Sequence, residues 1–188
     1  SFSAYSFSIV YDFYVRITNR EDILFDTISN LPIFESPNKY IINRALMLNC
    51  ITKNYESLWN KYSYLLPSND CFSTSKINLG CIKLNNKNSK WNFEIPLKDH
   101  YSRRQALLEI DVLVALEIGL TWNEFLTIYK IQFPVLASNE SKSLFDRKGK
   151  KVPTTLKNKY LNDTELGKQE VDYDGYLTPF YNCDREDD

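Results

Sequence analysis

Apolar positions in residues 103–136, "RRQALLEIDVLVALEIGLTWNEFLTIYKIQFPVL", recur at helical spacing, and the pattern breaks once, at Gly-Leu-Thr. The spacing predicts two helices in succession. On a wheel at about 100° per residue, Leu107, Ile110, Val114 and Ile118 share one face while Leu108, Val112, Ala115 and Leu116 cover much of the rest. The first helix is therefore expected to be buried nearly all round. Gly119 stands where a helix end needs a left-handed residue. Thr121 and Glu124 then form a capping box that opens the second helix, each side chain taking the other residue's amide. That helix is expected to bury Phe125, Ile128 and Tyr129 and to finish before Pro134.

Three acids, Glu109, Asp111 and Glu117, interrupt this apolar surface. Asp111 falls between Leu107, Val114, Ala115 and Ile118 on the wheel, so its carboxylate is cut off from water and requires a partner. Arg104, two turns earlier on the same side, is one candidate, and a group from elsewhere in the fold is the other. The buried acid reads as structural, together with Gly119, Thr121 and Glu124.

Elsewhere the signals are shorter. The opening "SFSAYSFSIVYDFYVRI" is aromatic and faces a core, although its periodicity suits either a helix or a strand. "EDILFDTISNLPIF" runs into Pro32, which forces the preceding residue toward an extended backbone. Ser36 followed by Pro37 has the chemistry of a helix start leading into "NKYIINRALMLNC". Thr52 is placed to cap "KNYESLWNKYSYLL", which Pro67 stops. Residues 68–90 are polar and rich in Asn and Ser, a loop insertion with room for a short strand or hairpin. "FDRKGKKV" predicts a hairpin turn at Gly149, and beyond Pro134 helical periodicity fades.

These elements add up to a mainly α protein, a helical domain with a central helix-turn-helix hairpin and a small β-hairpin or loop-rich periphery. Three regions are expected: an opening region over 1–35, 36–140 as the helical domain with its insertion near 68–90, and 141–188 as a loop-rich segment, basic and then acidic. A helix-turn-helix invites comparison with groove-reading DNA-binding motifs. Here the second helix offers only Asn123, Lys130 and Gln132 as polar readers, so a structural hairpin is favoured.

Composition adds exclusions more than assignments. With 43% apolar and 25% charged residues the chain has the balance of a folded globular protein, and a net charge of -1 names no partner. No apolar run approaches the roughly 20 residues of a membrane span, and a cytoplasmic location is expected. The chain starts at Ser1 and its only methionine is Met47, which leads us to expect a fragment of something larger. Cys50, Cys71, Cys81 and Cys183 lack C-x-x-C spacing and read as incidental thiols, so no metal site is expected. His100, the lone histidine, reads as a solvated or capping group rather than a catalytic base. The five glycines are scattered singly, which excludes a phosphate-cradling loop. Asp146, Arg147 and Lys148 are a weak match to an acid-x-Lys nuclease site, for which a turn is the simpler account.

Charge is unevenly distributed. Residues 142–159 hold seven cations against Asp146 alone, and residues 163–188 hold nine acids against Lys168 and Arg185. A second basic stretch extends from Lys76 to Arg104 with Trp91 and Phe93 set among its lysines, a composition suited to phosphate contact. Lys90, Arg103, Arg104, Lys148, Lys150 and Lys151 are the expected phosphate-contacting residues.

The order of the segments "NLPIF", "INRALMLNCITKNYESLW", "RRQALLEIDVLVALEIGLTWNEFLTIYKIQFPVL", "FDRKGKKVP" and "CDREDD" resembles the C-terminal region of bacterial type IIG-like restriction-modification DNA methyltransferases and related phage-defence methylases. The resemblance covers most of the chain from about Phe7, with residues 68–90 unmatched. It implies that the parent protein methylates adenine N6 in duplex DNA with S-adenosylmethionine. It also implies that 1–35 is the end of a target-recognition region, closed by the Leu-Pro element, and that the helical hairpin follows. The family's Asn-Pro-Pro-Tyr/Phe motif and glycine-bearing cofactor loop are missing from this sequence. No catalytic, cofactor-binding or metal residue is therefore expected here, and the partners implied are duplex DNA and the catalytic methyltransferase domain of the same polypeptide.

Overall fold

The computed structural model describes residues 2–18, 25–32, 34, 36, 38–73, 84, 86–141, 143–145 and 149–155, together with the backbone of 178–179. The fold is mainly helical. In chain order the helices are α1 (Phe2–Tyr5), α2 (Ile9–Ile17), α3 (Phe25–Ser29), α4 (Lys39–Asn49), α5 (Glu56–Tyr62), α6 (His100–Ile118), α7 (Trp122–Gln132) and α8 (Pro134–Ser141). Single 3-10 turns, Lys53–Tyr55 and Ser63–Leu65, flank α5. A two-residue strand β1 (Leu144–Phe145) pairs antiparallel with β2 (Thr178–Pro179), and Phe145 also bridges Lys151. Among the described residues no helix is long and apolar enough to cross a membrane.

The ambiguous aromatic opening is helical. Ser8 caps α2 by accepting the Val10 amide, and Tyr5, Ile9, Val10 and Tyr11 go into the core. α4 starts later than the Ser-Pro pair suggested: Asn38 is its cap, accepting the Tyr40 amide at 2.9 Å. Asparagine caps as well as serine does, and its position two residues on sets the boundary. Thr52 precedes the 3-10 turn without a side-chain capping bond. After Pro134, where periodicity fades, the chain forms α8, with proline at its first position where no amide hydrogen is needed. Weak amphipathicity hid this helix, and none of its residues is fully buried.

The core gathers around α6, which packs on α4 along one side and on α2 along another, while α7 packs on α2 and α8. Ala106, Ile110 and Val114 are wholly enclosed, and of the wheel positions only Leu116 is left largely in water. The junction after α6 follows the sequence pattern closely. Gly119 has φ +87°, and Thr121 and Glu124 form the complete capping box. The Thr121 hydroxyl and amide hold the Glu124 carboxyl below its ordinary value. α7 buries Phe125 and Tyr129, half-buries Ile128, and ends before Pro134.

Candidate functional site: a buried ion cluster and a lysine-bearing corner

Each acid of α6 has found a different partner. Asp111 is 1% exposed, and its Oδ1 accepts the backbone amide of Ile9 at 2.8 Å. Ile9 opens α2, so the carboxylate meets an amide that the helix itself leaves unpaired, at the end where the peptide dipoles favour negative charge. Arg104, the candidate partner on the same side, pairs instead with Glu140 of α8, which also accepts the Tyr129 hydroxyl. Glu117 accepts the Tyr5 hydroxyl at 2.8 Å, and the same hydroxyl takes the Asn38 amide at 2.9 Å. Burial, above all, pushes the Tyr5 phenol up to about 12; the Asn38 amide offsets part of this and Glu117 adds to it.

Glu109 belongs to a buried ion cluster that the sequence did not disclose. Arg44 of α4, 4% exposed, donates from Nε to Glu109 at 2.6 Å, and from Nη1 and Nη2 to the two oxygens of Asp70 at 3.0 and 3.1 Å. The paired bonds to Asp70 are the forked geometry that guanidinium and carboxylate share. Neighbours complete the coordination. Asn43 donates to Asp70 and to the Leu84 carbonyl, Gln105 donates to Glu109, and the amide and hydroxyl of Ser73 both reach Glu109 Oε1. Arg44 also donates to the Cys71 carbonyl, and the Leu84 amide to the Asp70 carbonyl. Both flanks of the expected 68–90 insertion are thereby fixed to α4 and α6, while residues 74–83 lie outside the described residues. The readable signal was Arg44 itself, a cation inside the apolar run "IINRALML".

A second locality gathers basic side chains at the start of α6. Asp99 caps the helix by accepting the Ser102 amide at 2.7 Å. Gly149, at φ +72°, packs so closely on Asp99 that a β-carbon would collide with the carboxylate, and its carbonyl accepts the Tyr101 amide at 3.0 Å. The Lys151 amide approaches His100 Nδ1 at 3.4 Å, and the Val152 amide donates to Leu144 O at 2.9 Å, while residues 146–148 of the expected hairpin lie outside the described residues. His100 is exposed.

The six expected DNA contacts divide three ways. Lys90, Lys150 and Lys151 are exposed. Arg103 and Arg104 are half-buried and engaged within the fold, Arg103 Nη1 donating to the carbonyls of Leu48 at 2.9 Å and Leu97 at 3.1 Å. Arg103 thus closes the C-terminal end of α4, where carbonyls lack helical partners. Lys148 lies outside the described residues, as do Asp146 and Arg147 of the nuclease-like triplet and the acidic tail apart from the backbone of 178–179. Lys98, exposed beside Asp99, joins the corner although it was not among the six.

Of the thiols, Cys50 is buried, which pushes it up to about 11, and Cys71 is exposed. Among the described residues no group of His, Cys, Asp and Glu side chains is arranged to hold a metal ion. In comparisons with protein-family models, curated proteins and solved structures, nothing matches this chain.

Proposed function

We propose that this chain is a non-catalytic C-terminal segment of a cytoplasmic DNA methyltransferase or restriction-modification enzyme, in which it supports target recognition and contacts DNA phosphates. The adenine-methylating chemistry and the S-adenosylmethionine site belong, on this reading, to another part of the same polypeptide. The observation that carries the proposal is the ordered run of segments centred on "EIDVLVALEIGLT", which resembles that family. Two structural features agree with it: an α6 scaffold whose acids are all engaged, and the exposed Lys98, Lys150 and Lys151 around the start of α6, with Lys90 exposed at the other end of the 90–98 loop.

The test is duplex binding followed by fluorescence anisotropy over a salt series. Three or four phosphate contacts give a log-log slope of roughly -3 to -4, and replacing Lys90, Lys150 and Lys151 by alanine should flatten it by nearly that amount. Absent or salt-insensitive binding rejects the reading.

A second role, docking onto the catalytic domain, is favoured by a groove of about 510 Å³ in the α1–α3 region, lined by Phe2, Phe7, Ile9, Val15, Ile28 and Leu31 among others. Phe25 of α3 is 86% exposed. Large exposed apolar patches mark interaction sites. Tyr11, itself buried, also lines this groove. Increased protease resistance of α1–α3 in the full polypeptide relative to this segment is the expected result.

A further inference from the structure

Residues 90–98 have no regular secondary structure, yet they are held at both ends against the C-terminal end of α4. Trp91 Nε1 donates to the Cys50 carbonyl at 2.8 Å and its amide to Asn60 Oδ1 at 3.2 Å. At the far end the Leu97 amide donates to Met47 O at 3.0 Å, and the Leu97 carbonyl accepts Arg103 Nη1. Trp91, Ile95 and Leu97 point inward. Phe93 points out, 57% exposed, with its ring edge-on to the Trp91 indole at 4.8 Å between centroids and 67° between planes. A large aromatic ring is thus presented to water on a braced loop.

The charges around the ring narrow what it can meet. Lys90 and Lys98 bracket the loop and are exposed; Lys98 precedes Asp99, against which Gly149 packs, so Lys150 and Lys151 belong to the same corner. Asp99 is occupied as a helix cap, which leaves Glu94 as the exposed acid of the loop. An exposed aromatic ring on a loop bounded by lysines is the combination used for unpaired bases, the ring stacking on the base and the cations tracking the backbone. A fully stacked duplex offers that ring no open base face.

Building on the DNA-binding reading above, we propose that the 90–98 loop binds an unstacked base in locally opened DNA. Phe93 stacks on the base, Lys90 and Lys98 hold its flanking phosphates, and Lys150 and Lys151 contact phosphates of the adjoining duplex.

Three fluorescein-labelled DNAs of one length test this: a paired duplex, the same duplex with a central mismatched bubble, and the single strand. A second bubble duplex carries 2-aminopurine in the bubble. The wild-type chain is expected to prefer the bubble to the paired duplex and to quench 2-aminopurine on binding. Phe93→Ala should weaken bubble binding by roughly tenfold or more, abolish the quench, and leave paired-duplex affinity and the circular dichroism melting curve unchanged. Phe93→Trp should restore both signals. Equal affinity of Phe93→Ala and wild type for the bubble, or retention of the quench, overturns the stacking proposal while the phosphate-contact reading stands. Equal weakening on all three DNAs assigns the ring to general packing and also overturns it. Failure of the wild-type chain to bind any of the DNAs rejects both proposals.

Discussion

Glu109 and Asp111 lie two residues apart on α6, and the two sides of the helix on which they sit solve the same problem differently. Toward α4, Glu109 meets a guanidinium that is itself shared with Asp70. Toward α2, Asp111 accepts a main-chain amide at a helix start. The first side sets two carboxylates around one guanidinium, so removing Arg44 strips both buried acids of their shared counter-charge. The second sets a carboxylate against the partial positive charge of a helix start. A buried acid in a sequence therefore predicts that a partner exists, but the kind of partner determines how much the fold depends on it.

That contrast can be broken by mutation. Arg44→Met should cost about 3 to 5 kcal/mol in urea denaturation, because Asp70 and Glu109 then lose their cation in a closed site. Adding Asp70→Asn and Glu109→Gln should recover part of the loss, since no unbalanced charge is left. Asp111→Ala should cost less, about 1 to 3 kcal/mol, the range for an orphaned buried donor, and Asp111→Asn less again because an acceptor oxygen remains. If Asp111→Ala destabilises as much as Arg44→Met, the two sides of α6 are equivalent and the distinction is wrong.

A smaller and more specific effect is expected at alkaline pH. The Tyr5 phenol has an ordinary value of 10.0 and stands at about 12 in the folded chain, so folding favours its neutral form. Its contribution to stability is complete below pH 10 and is lost as the pH rises from 10 to about 12. Tyr5→Phe should flatten that part of the stability profile in chemical denaturation at stepped pH. The buried Cys50 thiol acts in the same direction from 9.0 to about 11, so Cys50→Ala is the necessary companion measurement.

What could be read in the sequence was local. Gly119, Thr121 and Glu124 signal their roles within a few residues, because a left-handed turn and a capping box are complete in themselves. The burial of Asp111 was equally legible, since the wheel alone places it among aliphatics. Its partner was not, because Ile9 is 102 residues away and supplies a backbone group that no residue type reveals. Arg103 and Arg104 look like surface cations in "HYSRRQ", yet the contact between α4 and α6 brings a carbonyl 55 residues distant, that of Leu48, to Arg103. Asp70 resembles any polar loop residue until Arg44 is seen beside it. α8 was missed for the opposite reason: proline at its start was taken for an end, and its exposed faces carry little periodicity.

The length of α6 has one more consequence. From Asp99, where the lysine corner begins, to Asp111, where α2 is held, the helix rises about 18 Å at roughly 1.5 Å per residue. The corner proposed to meet nucleic acid and the point where α2 is anchored are thereby kept at a fixed separation, as by a ruler.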